Sequence, residues 1–285
     1  MGVDVWVRRP GGVLAGVWEP PAGAVEAEVA AADLVGPVEA EVAQGGAAAP
    51  EVGDLAPLRP VPAGDVTAAA AAVGEAGRPM GQAIPGDAIA QWDALRTEIL
   101  SCTRCLLHKT RTQGVVGVGP QRTDWMVIGE APGAEEDRRG EPFVGRAGHL
   151  LDAMLHAIGL NRGTNVYIAN VLKSRPPGNR DPKPEEVAAC LPYLMRQIAL
   201  LQPRLMLAVG RIAAQNLLNT DMPLGRLRGK VHHFGELNTP LIVTYHPAYL
   251  LRTPADKRKA WEDLKFARNV FRQLADRVGT DGNLC

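Results

Sequence analysis

The chain has 285 residues, 46% of them apolar and 22% charged, with 31 basic side chains balanced by 31 acidic ones, a globular composition that admits a sizeable core. Four cysteines, two of them as Cys102-x-x-Cys105, exclude a secreted disulfide framework and suit a reduced, cytoplasmic protein with a metal or redox site. No uncharged apolar run is long enough to span a bilayer and no signal peptide opens the chain, so no membrane partner is expected.

Charge is unevenly placed. Residues 1–80 hold four basic groups against eleven acidic ones, net −7, which leaves +7 on the remainder of a chain with zero net charge. A basic globular part is compatible with nucleic acid, although scattered charge would give the same excess. Residues 1–85 are dominated by Ala, Gly, Pro and Val and loosely repeat "VEAEVA". With almost no large apolar side chains they cannot bury enough surface to offset ordering entropy, and a disordered acidic head is expected there. Ordered structure is expected over 86–285.

It begins at "AIAQWDALRTEILSC", where Ile89, Trp92, Leu95 and Leu100 recur at helical spacing and lead into Cys102. Four short apolar runs follow, at 125–130, 166–172, 205–210 and 241–247. Helical patterns separate them at "AGHLLDAMLHAIGL", "PEEVAACLPYLMRQIALL" and "RIAAQNLLN", and a last one covers "KRKAWEDLKFARNVFRQLADRV". Strands alternating with helices predict an α/β sandwich with a parallel sheet, and open sheets of this kind bind ligands at the carboxyl ends of their strands.

The first run ends in Gly129-Glu130-Ala131-Pro132-Gly133, a sharp turn that lets a ligand approach backbone, with Glu135, Glu136 and Asp137 beside it. Phe143, one of four phenylalanines, sits in a glycine-flanked loop, where an aromatic ring serves either as a satellite core residue or as a surface for stacking on a flat ring. Asn170, at the end of the second run, is a capping residue or a paired donor and acceptor for one edge of a pyrimidine. His246 precedes Pro247 at the end of the fourth run; a lone histidine of this kind is structural or chemical. Leu250 and Leu251 read as helix core, unless a leucine exposed in that loop wedges into a base stack.

Together, "GEAPGAEEDRRGEPFVGRAGHLLDAML", "YIANVLKSRPPGNRDPKPEE" and "HPAYLLR" resemble the signature blocks of the family 4 uracil-DNA glycosylases, in their order and spacing, over about residues 95–276. The resemblance implies a three-layer sandwich with a four-stranded parallel sheet between helices, acting as a monomer on uracil-containing DNA and leaving an abasic site. It implies that Phe143 stacks on the uracil and Asn170 bonds its edge. His246 would stabilise charge on the departing base, with Glu130 and Glu136 lining the pocket and positioning water. Arg175, Arg180, Arg252, Lys173 and the run Lys257-Arg258-Lys259 would hold phosphates, with Leu250 as the wedge. A non-catalytic, redox-sensing or covalent uracil-DNA binder on the same fold is the alternative.

The family usually holds a [4Fe–4S] cluster on four cysteines. Three positions match, Cys102, Cys105 and Cys190, and the fourth falls on Ser174, a harder and less acidic ligand. A cluster completed by Ser174 or an outside ligand, a zinc ion, and an unmetallated remnant all fit this pattern; Cys285, in the polar tail, would have to fold back to help.

Overall fold

The computed structural model describes residues 86–281; the expected acidic head lies outside these residues, as does Cys285. Helix α1 (Gly86–Leu100) leads through a short 3-10 turn (Leu106–Lys109) to strand β1 (Trp125–Gly129). Next come α2 (Ala134–Arg139), α3 (Arg146–Ala157), β2 (Tyr167–Asn170), α4 (Pro184–Leu201), β3 (Leu205–Val209), α5 (Arg211–Leu218) and α6 (Leu224–Leu227). The chain ends with β4 (His232–Phe234), β5 (Thr239–Thr244), α7 (Pro247–Arg252) and α8 (Lys257–Asp281).

The sheet order is β2-β1-β3-β5-β4. β1 pairs in parallel with β2 and β3, and β3 with β5, in registers such as Val127 opposite Ile168 and Leu207 opposite Ile242. The four parallel strands are the four apolar runs of the sequence. β1 and β3 are buried along their whole length, which is why they read as continuous hydrophobic stretches and not as alternating ones.

Alternate residues of those strands feed two cores. Met126, Ile128, Met206 and Ala208 face Trp92, Leu95 and Ile99 of α1, Leu194 and Ile198 of α4 and Ala213 of α5. Trp125, Val127, Leu205 and Leu207 face Leu151 and Met154 of α3 and Leu264 and Ala267 of α8. Two helical layers thus enclose one sheet, a three-layer α/β sandwich.

Two readings need correction. α1 turns Trp92, Leu95 and Ile99 to the core and leaves Ile89 and Leu100 46% and 40% exposed, because the apolar stripe follows the 92-95-99 spacing and Leu100 is rotated off it. The sheet also has a fifth strand, the edge strand β4, antiparallel to β5. Its three residues, His-His-Phe, are only partly buried and carry no apolar run by which sequence could flag them.

Because β2 and β3 flank β1 on opposite sides, the chain reverses its direction of travel across the sheet at β1. The crevice beyond the carboxyl ends of β1 and β3 is therefore the favoured ligand position of this topology.

Candidate active site

Four strand ends deliver one residue or loop each to that crevice. Gly129 closes β1 where Asn170 closes β2, the two being register partners. A Cβ on Gly129 would overlap both the Asn170 side-chain oxygen and the Phe143 ring, so only glycine lets the amide and the aromatic meet there. Asn170 is 2% exposed, and its Oδ1 is a buried acceptor with no hydrogen-bond partner. An unpartnered buried acceptor is costly in a folded protein and calls for a partner from outside the chain.

Phe143 is held at a positive φ of 56°, an uncommon conformation for a bulky residue. The conformation is fastened from outside: Arg162 donates to the carbonyls of Pro142 (3.0 Å) and Phe143 (2.7 Å) and pairs with Asp152. Glu136 fastens the same loop from inside. Its Oε1 accepts the Val144 and Gly145 amides (2.8 and 3.1 Å) and its Oε2 the Gly133 amide (3.1 Å). This corrects the expected water-positioning role: both oxygens of Glu136 are engaged by backbone, and the carboxylate shapes the loop that presents Phe143.

The His246 ring lies 5.5 Å from Phe143, centroid to centroid, at 33°. Its Nδ1 accepts the Ala248 amide at the start of α7, which leaves the ring proton on Nε2 as a donor. Burial of the ring, reinforced by the Arg252 guanidinium and opposed by Glu136, pulls its pKa down to about 4, so the imidazole is neutral at physiological pH. Behind it, Gly210 adopts φ +98°, and a Cβ there would sit 2.9 Å from His246 Cβ. Glu130, one residue past β1, has its carboxyl pushed up to about 7, chiefly by burial and next by Asp181, with Arg211 acting in the opposite sense.

The residues expected to meet phosphate divide. Arg252 is exposed at the end of α7, and Arg175 bonds Asn179 through Nε (2.8 Å). Arg180 is committed to a two-pronged bond with buried Glu186 (2.9 and 2.6 Å). Lys173 cannot serve: it is 1% exposed and donates to the Asn170 carbonyl (2.7 Å) and to Gln197 Oε1 (2.6 Å), bracing the end of β2 from within the core. Lys257 is likewise buried. Leu250 is fully buried in the core shared with α3 and α8, so it is not an exposed wedge; the next residue, Leu251, is partly buried and packs against the same core. Sequence reading passed over Arg111, Arg162, Asp181 and Arg211. Arg211 had a signal, because it directly follows the glycine that ends an apolar strand run.

The cysteine constellation lies between the 3-10 turn and α4. Cys190 is buried with Leu107 and Leu172, and Cys105, Ala131 and Val187 pack on that group. Its thiol is pushed up by burial and by the neighbouring Cys105 and Cys102, while the Lys173 backbone amide lowers it. Ser174 is 3% exposed and accepts a bond from Arg111 Nη1 (2.8 Å), whose other nitrogen donates to the carbonyls of Leu100 and Cys102. Among the described residues no group of three Cys, His, Asp or Glu side chains is arranged to hold a single metal ion. Cys190 in its apolar shell, with Cys105 and Cys102 near enough to act on its thiol, offers thiols for three corners of an iron–sulfur cluster, with the Ser174 hydroxyl for the fourth.

A neutral imidazole donor, an unpartnered amide oxygen and an aromatic ring thus meet at one strand-end crevice. Comparison with known proteins places the chain in a family. The uracil DNA glycosylase superfamily matches residues 116–265, and the chain belongs to it. Curated relatives include a Type-4 uracil-DNA glycosylase from Archaeoglobus fulgidus, 46% identical over 179 residues (61% of this chain, 89% of that protein). Another from Thermotoga maritima is 40% identical over 179 residues (61% and 92%). A Type-5 uracil-DNA glycosylase from Thermus thermophilus is 36% identical over 118 residues (36% and 53%).

Proposed function

We propose that this chain is a monofunctional uracil-DNA glycosylase: it hydrolyses the N-glycosidic bond of uracil in DNA and leaves an abasic site, the first step of base-excision repair. The observation that carries the reading is the buried, unpartnered Asn170 Oδ1 beside Phe143, with the Nε2–H of His246 as the neighbouring donor.

A uracil turned out of the DNA stack, at a cost of a few kcal/mol, lies against the Phe143 ring. The Asn170 side chain pairs with its edge, its Oδ1 being the atom that the protein leaves unmatched. As the C1′–N1 bond breaks, its electron pair moves onto the uracil and charge grows on its carbonyl oxygens. His246 meets that charge as a neutral donor, which its low pKa keeps available without an acid. Water adds its oxygen to C1′, and its proton passes toward Glu130, whose ionised form also steadies the positive charge on the sugar. Glu136 acts through the loop it fastens. Arg175 and Arg252 hold phosphates, with Leu251, not Leu250, available beside them.

Cys102, Cys105, Cys190 and Ser174 would hold a [4Fe–4S] cluster that supplies a structural pin between the "CTRC" turn and the loop after β2, and no part of the bond cleavage. Residues 1–85 are an appendage to a glycosylase domain over 86–285, and the protein works as a cytoplasmic monomer. No helix among the described residues is long and apolar enough to cross a membrane.

The test is an end-labelled oligonucleotide with a single uracil, treated with protein, then alkali, and run on a denaturing gel. His246→Ala is expected to lower the single-turnover rate by on the order of a hundredfold or more, the value of one positioned donor, about 3–4 kcal/mol. Undiminished cleavage in that variant would remove His246 from the mechanism; no cleavage by the parent protein would overturn the function.

A further inference from the structure

Arg211 and Asp181 form a bridge that the mechanism above does not use. Arg211 follows Gly210 at the end of β3, and Asp181 stands in the loop after β2. Their side chains meet at 2.7 Å, with 51% and 67% of each exposed. Since β1 lies between β2 and β3, the bridge passes over the end of β1, where Glu130 stands, and the charge of each partner is felt by Glu130. The position is fixed from behind, because Gly210 packs on His246, and from the side, because Arg211 also donates to Gln215 (3.2 Å).

A solvated ion pair of this exposure contributes little stability and is readily exchanged for another anion. Resting on the glycosylase reading, we infer that Arg211 is a DNA phosphate ligand, held across the mouth of the crevice by Asp181 in the free protein and handed to the backbone of the nucleotide that enters. A planar guanidinium suits phosphate as well as it suits carboxylate. Asp181 is then a restraint: it keeps the guanidinium over the crevice, and it competes with DNA for it.

Binding of the full-length protein to a fluorescein-labelled duplex carrying a tetrahydrofuran abasic-site analogue, followed by anisotropy over a series of salt concentrations, separates these roles. Arg211→Gln should weaken binding about three- to tenfold and reduce the slope of log K against log salt by about 0.9, one phosphate contact. Arg211→Lys should restore most of the slope. Asp181→Asn should tighten binding, and the double variant Asp181→Asn/Arg211→Gln should match Arg211→Gln alone. Melting temperatures close to that of the parent protein show that each variant is folded. Unchanged affinity and slope in Arg211→Gln would overturn the inference. So would an Asp181→Asn protein that binds no better than the parent, because the bridge would then be a structural clasp. Uracil release by the parent protein is measured separately: its absence would sink the function and leave the phosphate contact standing.

Discussion

The Glu130 carboxyl offers the sharpest test of the chemistry, because its environment sets a pH limb where ordinary carboxylates have none. Burial and the Asp181 charge push it up to about 7, against the Arg211 guanidinium. If the ionised form assists water, only about one-tenth of the molecules are competent at pH 6 and about one-hundredth at pH 5. The single-turnover rate of uracil release should therefore climb about tenfold per unit up to pH 7 and level off above it. His246, at about 4, stays neutral over this range and adds no second limb. The assay is single-turnover release from an end-labelled oligonucleotide between pH 5 and 9, with alkaline cleavage after the quench. Glu130→Gln should be slow and flat with pH. Asp181→Asn, which removes a like charge, should move the midpoint down, and Arg211→Gln should move it up. The stability contributions of these two groups would not imitate the limb. The raised Glu130 pKa contributes stability that is full below its ordinary value of 4.5 and lost as pH rises through 7. The lowered His246 pKa has the opposite effect, with stability lost as pH falls from 6.5 toward 4. The two roughly offset, so the melting temperature should change little from this pair while the rate falls. A wild-type midpoint near 4.5, or the same limb persisting in Glu130→Gln, would refute the reasoning.

Three further outcomes are expected. Asp263, 3% exposed, bonds Arg228 (2.7 and 2.9 Å) and the Thr244 hydroxyl (2.8 Å), clamping the strand end that leads to His246. Asp263→Ala should cost about 3–5 kcal/mol in denaturant unfolding, the usual penalty for stranding a buried charge; a loss below 1 kcal/mol would show that the clamp is slack. Ser174→Cys should raise iron and sulfide content and the melting temperature together, with a smaller change in uracil release; iron gained without thermal stabilisation would refute the pinning role. Deleting residues 1–85 should leave the rate on short oligonucleotides nearly unchanged, and a large fall would show that the head takes part.

What could be read from sequence, and what could not, follows from the range of the interactions. The four parallel strands were legible because sheets covered on both faces need unbroken apolar runs, and β1 and β3 supply them. Asn170, Phe143 and His246 stood out because uncommon residue types occupied strand ends and a glycine-rich loop. The roles of Glu136 and Lys173 were not legible. A carboxylate next to a pocket looks the same in sequence whether it faces water or accepts three backbone amides, and a lysine in a basic loop gives no sign that its ammonium is buried between a strand-end carbonyl and Gln197. Leu250 and Leu251 differ by one helical step, about 100°, which decides burial but falls within the error of a boundary drawn from sequence. Each of these cases turns on a partner at long range in sequence or on side-chain direction, and both are settled only when the layers close. Ser174 is the reverse case. Its departure from the cysteine pattern was plain in sequence, but its physical meaning came from Arg111, 63 residues earlier, which ties the serine to the Leu100 and Cys102 carbonyls. That bridge already joins the two segments that a cluster would pin. The Cys102 turn therefore has a metal-independent fastening, and the weaker fourth ligand of the proposed cluster would act on that turn and not on the strand-end crevice.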